Sequence, residues 1–294
     1  MGSRFKKRLA AVAVAAVAAG TVLVGLPASS TAASVPSLQA FGILSNGTVM
    51  CAFKTSTPGQ LDWVRQIAGF TGNDTSAAGI DMRVQDGKLY AVGNAGGIYT
   101  VKLPTGPNDP APPTLTKVSQ LQYPLQGNKF GVDFNPAADR LRIISDTGQN
   151  LRHDVVGGVT VQDKLLNYSG STAHGVTAAA YTNNDLSGDT GTFLFDIDTN
   201  NDQEVIQLPP NDGLLTVAGK LGVPFDIDAG FDIYSDLTSG KTVTNTGFVV
   251  GVMTGSTFGS LYTFNDILTG TLTKVGDFPL PGVPVQDIAV ALDN

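Results

Sequence analysis

A short phrase recurs along this 294-residue chain, and its period constrains the fold more than any other feature. Gly79-Ile80-Asp81, Gly131-Val132-Asp133 and Gly230-Phe231-Asp232 each open a run of alternating apolar residues. Val285-Gln286-Asp287 repeats the phrase without its glycine, and Ala178-Ala179-Ala180 falls in the same phase without its acid. Counted from 81 to 133, 180, 232 and 287, the steps are 52, 47, 52 and 55 residues. A self-similar period of this size marks a repeat architecture in which neighbouring units bury one another.

Within each period the chain reads as strand. Segments of four to eight residues alternate apolar and polar and are separated by Gly, Asn, Asp, Pro and Thr. No stretch holds a 3.6-residue period over three turns, and 35 glycines and 16 prolines punctuate the sequence. The segments fall into fours: 79–84, 88–92, 98–103 and 115–118; 130–135, 140–145, 150–154 and 159–165; 176–182, 192–198, 204–208 and 214–221; 230–234, 246–253, 260–265 and 272–275. One C-terminal segment (286–292) and three N-terminal ones (38–44, 48–55, 63–68) remain. One and three make a fifth group. The expectation is an all-β, five-bladed β-propeller of four-stranded antiparallel blades, closed by pairing the C-terminal strand with the three N-terminal strands. A β-sandwich is the alternative, but it explains neither the period nor the remainder. Segments 108–113 and 236–244 read as loop insertions.

The first residues stand apart. Arg4, Lys6, Lys7 and Arg8 precede an uncharged stretch from Leu9 to Leu26, then Pro27 and a run of small residues ending at Ala33. This is the pattern of a signal peptide over residues 1–33, leaving a single domain over 34–294; an uncleaved anchor is the alternative. Removing those four from 18 Lys and Arg leaves 14 against 25 Asp and Glu, a formal −11. Such an acidic domain is a poor partner for nucleic acid or an anionic membrane. Cys51 is the single cysteine, so an intrachain disulfide is impossible. The expectation is a secreted, extracellular monomer with no membrane insertion after cleavage, held by burial alone.

The wording of the repeats also resembles a known family. FGVDFNPAADRLRIISDTGQNLR (Phe130–Arg152), AAYTNN (Ala179–Asn184), PPNDG (Pro209–Gly213) and AGFDI (Ala229–Ile233) are similar to domain-of-unknown-function family 4394, a secreted bacterial family. The resemblance implies a propeller-like fold across residues 38–292 and brings no activity or site residue.

Three constellations are candidates for chemistry. Asp81, Asp133, Asp232 and Asp287 are expected at equivalent heights on inner strands. There they either accept hydrogen bonds from neighbouring blades or face the channel, where carboxylates suit calcium. Asp196, Asp198, Asn200 and Asp202 place oxygens at alternate positions, as in a calcium loop, although Asn201 stands where such a loop has glycine. Arg142, Asp146, Asn150 and Arg152 surround one predicted hairpin, and arginine forks suit carboxylate or phosphate ligands.

Catalytic spacing is absent. His153 and His174 are the two histidines, neither in a triad motif, and no G-x-S-x-G occurs. The expectation is a non-enzymatic binding or interaction module that meets an extracellular ligand or protein through a propeller face or the channel mouth. The alternative is a secreted hydrolase, calcium-assisted or not, with carboxylates at the channel mouth. Calcium is the one cofactor these residues suggest.

Overall fold

Each copy of the recurring phrase is the innermost strand of its own four-stranded antiparallel sheet. The structure is a computed structural model and describes residues 35–293 except Ser45 and Asn265; the signal peptide expected over residues 1–33 lies outside the described residues. The first sheet begins with β1 (Gln39–Leu44), β2 (Val49–Lys54) and β3 (Leu61–Gln66). Blade 2 is β4 (Ala77–Arg83), β5 (Lys88–Gly93), β6 (Gly97–Lys102) and β7 (Thr114–Gln120). Blade 3 is β8 (Phe130–Asn135), β9 (Arg140–Ser145), β10 (Asn150–Asp154) and β11 (Val159–Gln162). A small ribbon, β12 (Asn167–Tyr168) with β13 (Ser171–Thr172), precedes blade 4. Blade 4 is β14 (Val176–Tyr181), β15 (Leu194–Asp198), β16 (Gln203–Gln207) and β17 (Leu215–Lys220). Blade 5 is β18 (Phe225–Thr238), β19 (Lys241–Met253), β20 (Gly259–Phe264) and β21 (Leu272–Asp277). The last strand, β22 (Val285–Val290), pairs antiparallel with β1 and completes blade 1.

The ring therefore closes as the one-plus-three remainder requires. The inner strands β22, β4, β8, β14 and β18 follow one another around the axis, and β18 packs back on β22. This is a five-bladed β-propeller. Each of five apolar clusters fills one seam between blades. Phe41, Met50 and Trp63 meet Ile80, Leu89 and Tyr99 between blades 1 and 2. Tyr90 and Ile98 meet Phe134 and Leu141 between 2 and 3, and Ile144 meets Val176 and Leu194 between 3 and 4. Phe195 and Ile197 meet Phe231 and Val249 between 4 and 5, and Phe248 and Leu261 meet Ala40 and Phe53 between 5 and 1. Side chains alternate across a strand, so every blade offers one apolar row to each neighbour.

Two local expectations are corrected. Residues 236–244 are not an insertion loop: β18 and β19 continue as a paired hairpin out to Thr238↔Lys241. Ser239 (φ 55°) and Gly240 (φ 74°) make the two-residue turn that suits strand twist. Asp185, from blade 4, holds the hairpin by accepting the Thr242 N–H at 2.9 Å. The strand expected over 159–165 ends at Gln162, because the next residue, Asp163, turns inward to meet two arginines. The PPNDG segment, between two expected strands, forms a single 3-10 turn, Pro210–Asp212, and residues 108–113 are irregular as expected.

Candidate functional site at the central channel

The repeated aspartates stitch the inner strands together. Asp287 Oδ2 accepts the Ile80 N–H at 2.8 Å, Asp81 Oδ2 accepts Phe134 N–H at 2.7 Å, and Asp133 Oδ1 accepts Tyr181 N–H at 3.2 Å. Asp232 Oδ2 accepts Val290 N–H at 2.6 Å. Each acid thus reaches an amide on the inner strand of the following blade. Ala180 cannot, and the Ile233 N–H, the amide its acid would have reached, is capped instead by Asp232 Oδ1 at 2.6 Å. One carboxylate serves both sides of the gap.

The glycine of the phrase has a matching reason. It lies two residues before the acid, on the same face of the strand. A Cβ on Gly131 would come within 2.5 Å of Ala179 N, and one on Gly230 within 2.5 Å of Asp287 Cα. Small size lets the inner strands approach until the acid reaches its amide.

Asp81, Asp133 and Asp232 each offer an oxygen lying within 4.8 Å of the others, the one group among the described residues close enough to share a metal ion. All four acids are buried. Burial raises Asp81, with the Asp232 charge adding to it, and burial with the Asp81 charge raises Asp133. Asp287 moves the same way, and Asp232 is pushed up to about 6 by burial. These are groups that hold protons well above the usual carboxylate range.

The channel opens where the inner strands begin. There Lys129, just before β8, forms an ion pair with Asp228 of β18 at 2.6 Å, both half-buried. Burial pushes the Asp228 carboxyl up to about 6 against the pull of Lys129, and Asp146 of another blade adds like charge. Three adjoining cavities share Lys129 in their walls. One, of about 230 Å³, adds Ser76, Asn94, Asn128, Asp228 and Gln286. Another, also about 230 Å³, runs past Asp226, Asp228 and Pro284. The third, about 280 Å³, reaches Asp146, His174 and Asn200.

The arginine constellation splits between the two ends of the propeller. Asp146 stands at the mouth, where its Oδ1 accepts the Asn128 N–H at 3.0 Å. Arg142, Asn150 and Arg152 stand together at the seam between blades 3 and 4. Arg142, 2% exposed, donates to Asn150 Oδ1 and Asp163 Oδ2 at 2.7 Å, to Asn211 Oδ1 at 3.0 Å and to Tyr181 Oη at 3.2 Å. Arg152 grips the same Asp163 through Nε at 2.6 Å and Nη2 at 2.9 Å. Asn150 spends its Nδ2 on the Lys164 and Pro210 carbonyls. Asp163 and Asn211 were not legible as partners: they are 21 and 69 residues from Arg142, and no local pattern ties them to it.

The four residues of the calcium-like loop have separate surroundings and do not converge on one point. Asp198 accepts from Tyr168, Asn201 and Gln203. Asn200 donates to the His174 carbonyl at 3.0 Å, and Asp202 accepts the Phe225 N–H at 2.9 Å. Asp196 is fully buried in blade 4, with neither oxygen hydrogen-bonded, and burial raises it well above its ordinary value.

The family model for a domain of unknown function, DUF4394, matches residues 49–289. The chain belongs to that family. No curated protein matches it. Among solved structures, a structural genomics protein of unknown function from Bacteroides thetaiotaomicron is similar over 87% of this chain and 67% of its own, at 14% identity and a TM-score of 0.45. Myxococcus xanthus glutaminyl cyclase is similar over 74% of this chain and 90% of its own, at 11% identity and a TM-score of 0.42. Among the described residues of this DUF4394 chain, no helix is long and apolar enough to cross a membrane.

Proposed function

We propose that this DUF4394 protein is an exported binding module that takes a small polar ligand at the channel mouth. The observation that carries the reading is the convergence of three cavities on Lys129. Concave sites with a few converging polar groups are the default places for ligands. Here the walls are rich in side-chain amides, and a lysine–aspartate pair offers one donor and one acceptor side by side. That chemistry suits a ligand bearing hydroxyl or amide groups.

The test is a titration of isotopically labelled protein with glucose, N-acetylglucosamine and glycylglycine, followed by amide chemical shifts. Saturable shifts at Asn94, Asn128, Lys129, Asp228 and Gln286, lost in Lys129→Met, support the reading. Shifts elsewhere, or none with any probe, reject it.

One observation favours a second reading, a carboxylate-using hydrolase. Asp228 is raised to about 6 beside Asp146, which comes from a different blade. A carboxyl raised by burial, with a second carboxyl close enough to act on its charge, is the arrangement of an acid and its partner. Turnover of chromogenic glycosides or esters, lost in Asp228→Asn, would favour it over simple binding.

A further inference from the structure

At the opposite end of the blades from the mouth, a cavity of about 170 Å³ opens at the seam between blades 3 and 4. Asn135, Arg140, Arg142, Arg152, Tyr181 and Asn211 line it. We propose that it is a binding site for a small oxyanion, a carboxylate or phosphate group, held by Arg152, Arg140 and Asn211.

The charge balance of the pocket points this way. Three guanidinium groups line it, and two carboxylates are paired with them. Asp163 is shared by Arg142 at 2.7 Å and Arg152 at 2.6 Å. Asp154 meets Arg140 at 3.3 Å. The neighbouring Asp139 is already gripped by Arg83, which donates to both of its oxygens. Asp196 feels the Arg142 charge, but neither of its oxygens is hydrogen-bonded to any of the three guanidinium groups, and it does not line the cavity. Three guanidinium groups thus share two ion-paired carboxylates, which leaves the pocket wall short of one negatively charged acceptor.

The hydrogen-bond balance agrees. A guanidinium only donates, so Asn211 must turn Oδ1 toward Arg142, which fixes its Nδ2 on the other side. That Nδ2 has no protein partner among the described residues. Arg152 spends Nε and Nη2 on Asp163 and keeps Nη1 uncommitted. The groups left over are donors, and an oxyanion supplies the acceptors they lack. Arg152 is also the reachable member of the pair: its side chain is 30% exposed, against 2% for Arg142. Arg142 is consumed in holding Asn150, Asp163 and Asn211 in place, so the pocket is built before any ligand arrives.

The experiment is calorimetric titration of the full chain with inorganic phosphate and, separately, with acetate, at constant ionic strength set by chloride. The expected result is saturable binding of at least one of the two, weakened at least about tenfold, a loss of one charge-assisted contact, in both Arg152→Gln and Asn211→Asp. The second variant replaces the Nδ2 donor with a carboxylate oxygen that repels the ligand's. The tighter of the two anions assigns the ligand class. Lys129→Met, at the other end of the molecule, should leave the binding unchanged, which separates this site from the channel mouth. If Arg152→Gln does not fold, as judged by circular dichroism, Asn211→Asp decides. No saturable binding of either anion up to about 50 mM, weaker than any useful site, or binding unaltered by the seam variants, overturns the proposal.

Discussion

Asp287 accepts the backbone N–H of Ile80 at 2.8 Å, tying the last strand of the chain to the first strand of blade 2 across 207 residues. The closing strand is therefore held twice, by its ladder with β1 and by this bond. Replacing Asp287 with Ala leaves a buried amide unpaired, at a cost of about 1–3 kcal/mol. Asp287→Asn keeps an acceptor oxygen and should cost well under half as much. Urea unfolding of both variants checks this; equal losses would mean that the bond is incidental to closure.

The ring acids set the pH dependence. Asp232 is raised from its ordinary value near 3.8 to about 6, and Asp81, Asp133 and Asp287 move in the same direction. The folded chain thus keeps protons that the unfolded chain has released. Their stabilisation is full below the unfolded value and falls as pH rises through the folded one. Asp154 and Asp277 are lowered, by backbone amides and by Lys274 respectively, and work the opposite way in acid. The melting temperature should peak at about pH 4–5 and decline toward pH 8, with a shallower decline in Asp133→Asn. Calcium at pH 8 should leave it unchanged; a rise abolished by Asp133→Asn would show a cation replacing the protons.

Gly131→Ala tests the close approach of the inner strands. The new Cβ would lie 2.5 Å from Ala179 N and 2.7 Å from the Ala178 carbonyl carbon, both backbone atoms of the next blade. Backbone held on both sides has little room to yield, so the expected cost is about 1–3 kcal/mol. Gly106→Ala, with nothing within 4 Å of the added carbon, is the matched control and should change little.

These acids and glycines were readable in the sequence because the same local need returns around the ring, complete in blades 2, 3 and 5: a small residue for close approach, then an acid for the neighbour's amide. Repetition made the five-bladed ring and its closing strand legible together. The mouth was not legible. Lys129 and Asp228 meet once, 99 residues apart, and no other blade repeats the pair. The arginine seam was half legible: the turn at Asp146–Gln149 brings two strands together with Arg142 and Arg152 close, and their register pairs them directly. The carboxylate that binds both lay just past the end of β11, inside what alternation alone reads as more strand. The Asp236–Thr244 hairpin was hidden for another reason: polar strands at an edge carry no apolar alternation.

Arg142→Met tests whether the seam arginine is structural in its own right. The methionine leaves Asn150 Oδ1, Asn211 Oδ1 and the Tyr181 hydroxyl without their donor, and Asp163 with Arg152 alone. Breaking a buried charged network from one side costs about 3–5 kcal/mol. Arg152→Met removes a partner that is partly solvated, while Asp163 keeps Arg142, so about 1 kcal/mol is expected. Adding Asp163→Asn to Arg142→Met should recover part of the loss, because the carboxylate no longer stands short of a buried partner. Chemical denaturation of the three variants gives the comparison. If Arg152→Met costs as much as Arg142→Met, the ion pair with Asp163 carries the seam, and the bonds from Arg142 to Asn150, Asn211 and Tyr181 add little to it.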